Sequence, residues 1–216
     1  TKVSVMSGTN ELAFSMTNTS GTFGFNEMDA NNYEVVPKRD DNHRNGVSTA
    51  DIIKIQRHIL GAESLNSGYK MIAGDVNKSN TITAADLVEL RKLVLFKIDR
   101  FGNNTSFRFV DKDYNLTTGN ALTSSFPERV SLTNAMSGNV EADFVAVKIG
   151  DVTENAVVNL TAVPEERSGK SLMFNVTEGS YKAGETVRMT LKANDFAKIN
   201  GYQLSLIHIS EPTRPY

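Results

Sequence analysis

In the run Gly74–Leu95, GDVNKSNTITAADLVELRKLVL, oxygen-bearing side chains stand at Asp75, Asn77, Ser79, Thr83 and Asp86, which are positions 1, 3, 5, 9 and 12 of a twelve-residue loop. That spacing suits the binding of a hard cation. Calcium takes roughly six to eight oxygens at about 2.3–2.6 Å, and a loop wound round it offers side chains from these positions and a main-chain carbonyl from position 7. The expected ligands are therefore Asp75, Asn77, Ser79, the carbonyl of Thr81, Thr83 and Asp86. Position 6 needs a positive φ. It holds Asn80, and asparagine tolerates the left-handed region better than other non-glycine residues.

The pattern recurs 35 residues earlier in RDDNHRNGVSTADIIKIQRHIL. With residue 40 placed on 75, Asp40, Asn42, Asn45, Ala50, Asp51 and Leu60 meet identical residues, and Ile52, Ile55 and Ile59 meet Leu87, Leu90 and Val94. A repeat that keeps both polar and apolar offsets is an internal duplication of one structural unit. The first loop would offer Asp40, Asn42, the carbonyl of Gly46, Ser48 and Asp51, with Asn45 at position 6. Its position 5 is Arg44, which has no acceptor and is always charged. The expectation is a weak, water-completed or empty first site, with Arg44 paired to Asp40 or Asp51, and a second site that holds the ion through two carboxylates with no counter-charge. Both loops end in a capping box, Ser48 to Asp51 and Thr83 to Asp86, which explains half of the pattern without metal. It does not explain an Asp-x-Asn set nine to eleven residues before the acid, twice and in phase.

The elements that must carry these loops follow from periodicity. Apolar residues after each loop recur at helical spacing, so two amphipathic helices are expected, with Ile52, Ile55, Ile59, Leu87, Leu90 and Val94 packing them antiparallel. Residues 1–36 alternate as strands in KVSVM, ELAFSM, TSGTFGFNEM and NYEVVP, with Phe23 and Phe25 on one strand face and Pro37 closing the segment. Residues 102–157 hold strand candidates SFRFV, RVSL and FVAVKIG, and residues 158–207 alternate again in AVVNLTAV, SLMFNV, ETVRMTLKA and INGYQLSL. The fold class is α+β in several segments, a small two-helix duplicated calcium-loop unit between partial antiparallel β-sandwich segments. Gly150-Asp-Val-Thr-Glu echoes Gly74-Asp-Val-Asn-Lys, but position 12 counted from Asp151 is Ala162, so it reads as a turn after a strand.

Composition narrows the functions. The 216 residues carry a net charge of −2 and no basic stripe, which argues against nucleic acid. There is no cysteine, hence no disulfide or thiolate chemistry, and no apolar run of about eighteen residues to span a bilayer. No Ser-His-Asp arrangement, nucleophile elbow or phosphate loop is present, and no carboxylate pair argues for glycoside hydrolysis, so no catalytic residue is assigned.

The stretches DDNHRNGVSTADIIKIQRHILG and DVNKSNTITAADLVELRKLVL together resemble the dockerin type I module, over about 65 of the 216 residues. The resemblance implies bound Ca²⁺ in each unit and helices that dock on a cohesin-like β-sandwich, within the chain or on a partner. Its recognition positions 10, 11, 17 and 18 carry over to Thr49, Ala50, Gln56, Arg57, Ala84, Ala85, Arg91 and Lys92. Of the four residues at positions 10 and 11, only Thr49 has a hydroxyl. T-x-G-x-F-x-F followed by N-Y-x-V in residues 1–36 resembles the last strands of a carboxypeptidase-regulatory-like sandwich, and residues 158–207 the opening strands of a cohesin-like or carbohydrate-binding sandwich. Residues 37–101 are then the dockerin-like pair and 102–157 an associated β-rich region. The tail LSLIHISEPTRPY, 204–216, resembles a translated sequencing adapter and is set apart from the fold. The order of segments resembles modular secreted or surface proteins of the Bacteroidetes type. The implied role is a calcium-binding, non-catalytic assembly module of a large extracellular protein. The alternatives are an accessory region of a polysaccharide-degrading enzyme, or a spacer in a surface adhesin.

Overall fold

A computed structural model of the chain describes residues 1–26, 28–29, 31–123, 125–133 and 141–157, and farther along 174–175, 182, 184–186 and 192–193. The described residues up to 157 belong to one compact unit, and those from 174 to 193 to a second, Asn159–Tyr202. In the second, β7 (Phe174–Asn175) and β8 (Lys192–Ala193) pair antiparallel, within the expected SLMFNV and ETVRMTLKA strands. The expected INGYQLSL strand and the tail 204–216 lie outside the described residues.

The first unit is mixed α+β. Strands β1 (Lys2–Ser7), β2 (Asn10–Met16) and β3 (Tyr33–Lys38) precede helices α1 (Thr49–Ile59), α2 (Gly68–Gly74) and α3 (Ala84–Val94). Strands β4 (Phe107–Asp111), β5 (Val130–Leu132) and β6 (Phe144–Lys148) follow. One antiparallel sheet runs β2-β1-β3-β5 and a second pairs β4 with β6. Alternation sets the faces of the first sheet: Val3, Val5, Tyr33 and Val35 are buried. β5 pairs only with Tyr33–Val35, so Pro37 lies where β3 has a neighbour on the β1 side alone and its missing N–H breaks no ladder bond on the other. The strand therefore runs through the proline instead of stopping there.

Three expectations are corrected. Residues 17–26 form no strand, although Phe23 and Phe25 still meet, edge to face, at 6.1 Å between ring centroids. β5 comes from the 102–157 region yet joins the first three strands, so those two segments share a sheet. A third helix, α2, precedes the second loop. Its seven residues begin and end in glycine and have poor helix propensity. Tertiary burial holds it instead, with Ile72 fully buried and Ala73 nearly so.

The core that positions the loops lies where α1 packs on α3 and α2 packs on β6. Ile52, Ile55, Leu87, Leu90 and Val94 are buried as expected, joined by Leu93, Val110, Val147 and Ile149. Each fully buried aliphatic side chain contributes about 1.5–3 kcal/mol. Ile59, at the last position of α1, is exposed instead. No helix among the described residues is long and apolar enough to cross a membrane.

Candidate metal centre

The loop between α2 and α3 closes on two carboxylates. Asp75 Oδ1 accepts from the Ser79 amide at 2.8 Å and Oδ2 from the Asn80 amide at 2.8 Å. Asp86 reaches back from the first turn of α3: Oδ1 accepts from the Asn77 amide at 3.1 Å and Oδ2 from the Thr83 amide at 2.8 Å. The other expected ligands lie in the same network. Asn77 Oδ1 accepts from the Ser79 amide at 3.0 Å, and the Ser79 hydroxyl donates to the Thr81 carbonyl at 3.1 Å. Thr83 caps α3 by accepting from the Ala85 amide. Asn80 takes the expected positive φ, 61°, and Lys78 takes one of 59°. The six expected oxygen donors of this loop are thus brought together, and the capping box coexists with them.

The first loop is not a copy of this. Asp40 faces away, with Oδ1 accepting from the Ser106 amide at 2.8 Å and lying 2.9 Å from His43 Nε2, and Oδ2 held by Arg100 at 2.7 Å. The His43 contact lies off the N–H direction, so it is electrostatic and not a directed hydrogen bond. Asn42 is exposed at φ 43°. The positive φ expected at Asn45 falls on Gly46, at 74°. Arg44 pairs with neither Asp40 nor Asp51. Its guanidinium reaches the carbonyls of Leu93 and Ile98, pairs with Asp99 and lies over the Phe96 ring, where a cation complements the C-terminus of α3. Asp40 and Asn42 are therefore corrected as partners of Asp51, and the positive charge expected beside an ion is elsewhere. An expected result follows. Asp40→Asn lowers stability in urea unfolding by about 1–2 kcal/mol, because the Ser106 amide and Arg100 lose a charged acceptor, and leaves calcium binding unchanged.

The partner of Asp51 is the turn after β6. Asp51 Oδ1 accepts from the Thr153 amide at 3.0 Å and Oδ2 from the Ser48 amide at 2.8 Å. Asp151 Oδ1 accepts from the Asn155 amide at 3.2 Å and Oδ2 from the Ala156 amide at 2.8 Å. Each of these four bonds has a counterpart, oxygen for oxygen, in the 75–86 loop: Thr153 stands for Asn77, Ser48 for Thr83, Asn155 for Ser79 and Ala156 for Asn80. The backbone agrees at position 4, where Glu154 has φ 61° and Lys78 59°, while the next positive φ falls on Asn80 at position 6 of one loop and on Gly46 at position 7 of the other. The chain thus builds a second loop of the same form in two pieces, with positions 1 to 6 from Asp151–Ala156 and positions 7 to 12 from Gly46–Asp51.

The two pieces fit closely. A Cβ on Gly46 would lie 2.7 Å from both Ala156 Cα and Asp151 Oδ2, so this crossing needs a glycine. Asn45 locks the junction by donating to the Val157 carbonyl at 2.7 Å and accepting from its amide at 3.0 Å. Lys148 Nζ, buried at the end of β6, bonds the carbonyls of His43 at 2.8 Å and Ile149 at 3.2 Å, and burial lowers its pKa to about 8. Asp151, Thr153 and Asn155 are the residues that linear reading missed. The echo of Gly74-Asp-Val in Gly150-Asp-Val was the available signal, and its missing twelfth position is Asp51, a hundred residues upstream.

The electrostatics of the two loops match. Asp51 and Asp86 are 0 % exposed, Asp75 1 % and Asp151 5 %. No lysine, arginine or histidine among the described residues forms an ion pair with any of the four. Burial pushes the Asp75 carboxyl above its usual range, opposed by the Ser79 and Asn80 amides and reinforced by the Asp86 charge. Burial does the same to Asp51, opposed by Thr153 and Ser48 and reinforced by Asp151. The Thr153 hydroxyl, with a single proton to give, lies 2.8 Å from Asp51 Oδ1 and 3.1 Å from Asp151 Oδ1. Buried charges of one sign are stable when paired or when they coordinate a metal, and hydroxyls of Ser48 and Thr153 also donate to the Asp51 oxygens beside the amides.

No family model, no curated protein and no solved structure matches the chain. Among the described residues no group of three or more His, Cys, Asp or Glu side chains gathers in one place. Each loop instead mixes two carboxylates with amide, hydroxyl and carbonyl oxygens. That all-oxygen set fits a hard cation such as Ca²⁺ and not a thiophilic or imidazole-seeking metal. Of the residues placed at recognition positions, Ala50, Gln56, Arg57, Ala84, Ala85 and Arg91 are exposed, and Thr49 and Lys92 are partly buried. Arg57 pairs with Glu63 and Lys92 with Glu89.

Proposed function

We propose that this chain is a calcium-binding, non-catalytic interaction module of a large extracellular protein, similar to a dockerin, and that it binds two ions. One ion lies in the 75–86 loop. The other lies in the composite loop of Asp151, Thr153, Asn155, the Gly46 carbonyl, Ser48 and Asp51. The observation that carries this reading is the set of four buried carboxylates, two in each of two loops of the same hydrogen-bond pattern, none paired with a basic side chain. Bound calcium would supply the positive charge that these carboxylates lack. The protein's own part is to hold the donors in two wound loops, each anchored by a capping box and by a buried valine, Val76 or Val152.

The exposed positions along α1 and α3 support docking on a cohesin-like β-sandwich, because their side chains are not used in the core. Calorimetric titration of the intact chain with Ca²⁺ tests the metal reading, and two ions per chain are expected. No heat, and no gain in melting temperature with excess Ca²⁺, would overturn it. Capture of a cohesin sandwich that is lost in Arg57→Glu together with Arg91→Glu tests the docking reading. Capture unaffected by that pair would place the partner on another face.

A further inference from the structure

The two loops differ in what keeps them closed. The 75–86 loop is continuous chain, so losing its ion leaves its ends tied. The composite loop joins Asp51 to Asp151, and only non-covalent contacts hold residues 153–157 against residues 45–51. Val152 is anchored in the core at 0 % exposure, so any release begins beyond it. Past that anchor the ties among the described residues are the Thr153 contacts to Asp51, the Asn45–Val157 pair, the close approach of Ala156 to Gly46 and a Lys70–Glu154 bridge at 3.1 Å. Asp51 and Asp151 sit at the centre of this seam, both buried and both facing the Thr153 hydroxyl.

Resting on the calcium reading above, we propose that the ion of the composite loop is a latch. It holds the strap 153–157 onto the start of α1, and its release frees the strap while the helices, the sheets and the 75–86 loop stay folded. Residues 153–157 are thereby anchored in calcium and loose without it. The reason is the sign of the local charge. Without a cation the seam brings two carboxylates together with one shared hydroxyl proton between them, and the Lys148 ammonium, which feels both charges, is bonded to the carbonyls of His43 and Ile149 instead of to either carboxylate. With a cation, the two carboxylates, the Thr153 hydroxyl, the Asn155 side chain and the Gly46 carbonyl share one centre. Opening of the strap then requires loss of the ion, so calcium suppresses the open population by the factor 1 + [Ca²⁺]/Kd.

Amide hydrogen exchange of the full chain, followed by peptide masses, reads this directly. The reporters are the amides of Thr153, Asn155, Ala156 and Val157, with those of Asn77, Ser79 and Asn80 as the comparison. With Ca²⁺ at a hundred times its Kd, exchange in 153–157 is expected to slow by about a hundredfold relative to chelator. In Asp75→Asn the calcium protection of 153–157 should persist while that of 77–80 falls, and in Asp151→Asn the pattern should reverse. If titration still counts two ions but 153–157 exchanges alike with and without Ca²⁺, the latch is overturned and the metal reading stands. If no ion binds, both fall.

Discussion

Calcium added to the intact chain at neutral pH raises the melting temperature of the first unit by roughly 10–20 °C, and this gain shrinks as the pH is lowered toward about 4. The size follows from linkage. One ion at a hundred times its Kd stabilises the native state by about 2.7 kcal/mol, two by about twice that, and each kcal/mol shifts the midpoint of a unit this size by roughly 2–4 °C. The pH dependence follows from Asp51 and Asp75, whose carboxyls burial raises above the usual aspartate range in the folded chain. A folded pKa above the unfolded one means that the ion-free native state binds the extra proton. Its stabilising effect is complete below the unfolded pKa and is lost as the pH rises through the folded one. Ion-free protein therefore loses stability from these two groups as the pH rises through their raised folded pKa values. Asp40 works in the opposite direction. Burial raises its pKa, but the Ser106 amide, His43 and Arg100 outweigh this and hold it low, so its contribution is lost as pH falls through that lowered value. On the proposed reading calcium would compete with protons for Asp51 and Asp75, so its benefit would grow as they ionise. Melts by circular dichroism from pH 4 to 7.5, with and without calcium, check this, and a calcium gain that is constant across that range would contradict it.

Asp51→Ala is expected to be the most damaging single substitution at either loop, lowering stability by about 3–5 kcal/mol with calcium present. Three losses combine at one side chain. The capping box of α1 loses its acid at N3, and the Ser48 amide loses an acceptor. The Thr153 amide is left without its acceptor at the seam, and the Thr153 hydroxyl keeps only Asp151. The composite loop also loses the carboxylate at its twelfth position, and with it the ion. Asp51→Asn separates these effects, because an amide oxygen still caps the helix but supplies no charge. It should restore a good part of the stability and none of the second ion. Urea unfolding with a linear fit, run beside a calcium count, measures both. A cost for Asp51→Ala under about 1 kcal/mol would show that the seam carries little of the fold's energy.

Much of the fold was legible because the relevant signals are local. The 3.6-residue spacing of Ile52 and Ile55, and of Leu87, Leu90 and Val94, locates both helices and their buried faces. The Ser48 and Thr83 caps locate their starts. The six residues expected as donors in the 75–86 loop lie in one hydrogen-bond network for the same reason, since that loop is one continuous stretch. The first loop misled because its Asp-x-Asn fits the template locally while tertiary contacts decide otherwise. Ser106, His43 and Arg100 engage Asp40, and the end of α3 with the turn after it takes Arg44. Nothing within residues 40–51 shows that Asp151 will arrive from a strand a hundred residues later. Helix α2 was invisible to propensity because burial of Ile72 and Ala73, not its glycine-bounded sequence, makes it helical. β5 was readable as a strand, but its choice of β3 as neighbour depends on which edge is left open, and periodicity carries no information about that.

The central claim is that two ions sit in two like loops, one continuous and one assembled from distant segments. The most direct measurement counts bound calcium in the native chain and in Asp151→Asn by equilibrium dialysis with metal analysis. Two ions in the native chain falling to one in the variant, with the 75–86 loop still loaded, is the predicted result. Equal occupancy in the two proteins would contradict it, because Asp151 would then have no part in holding an ion.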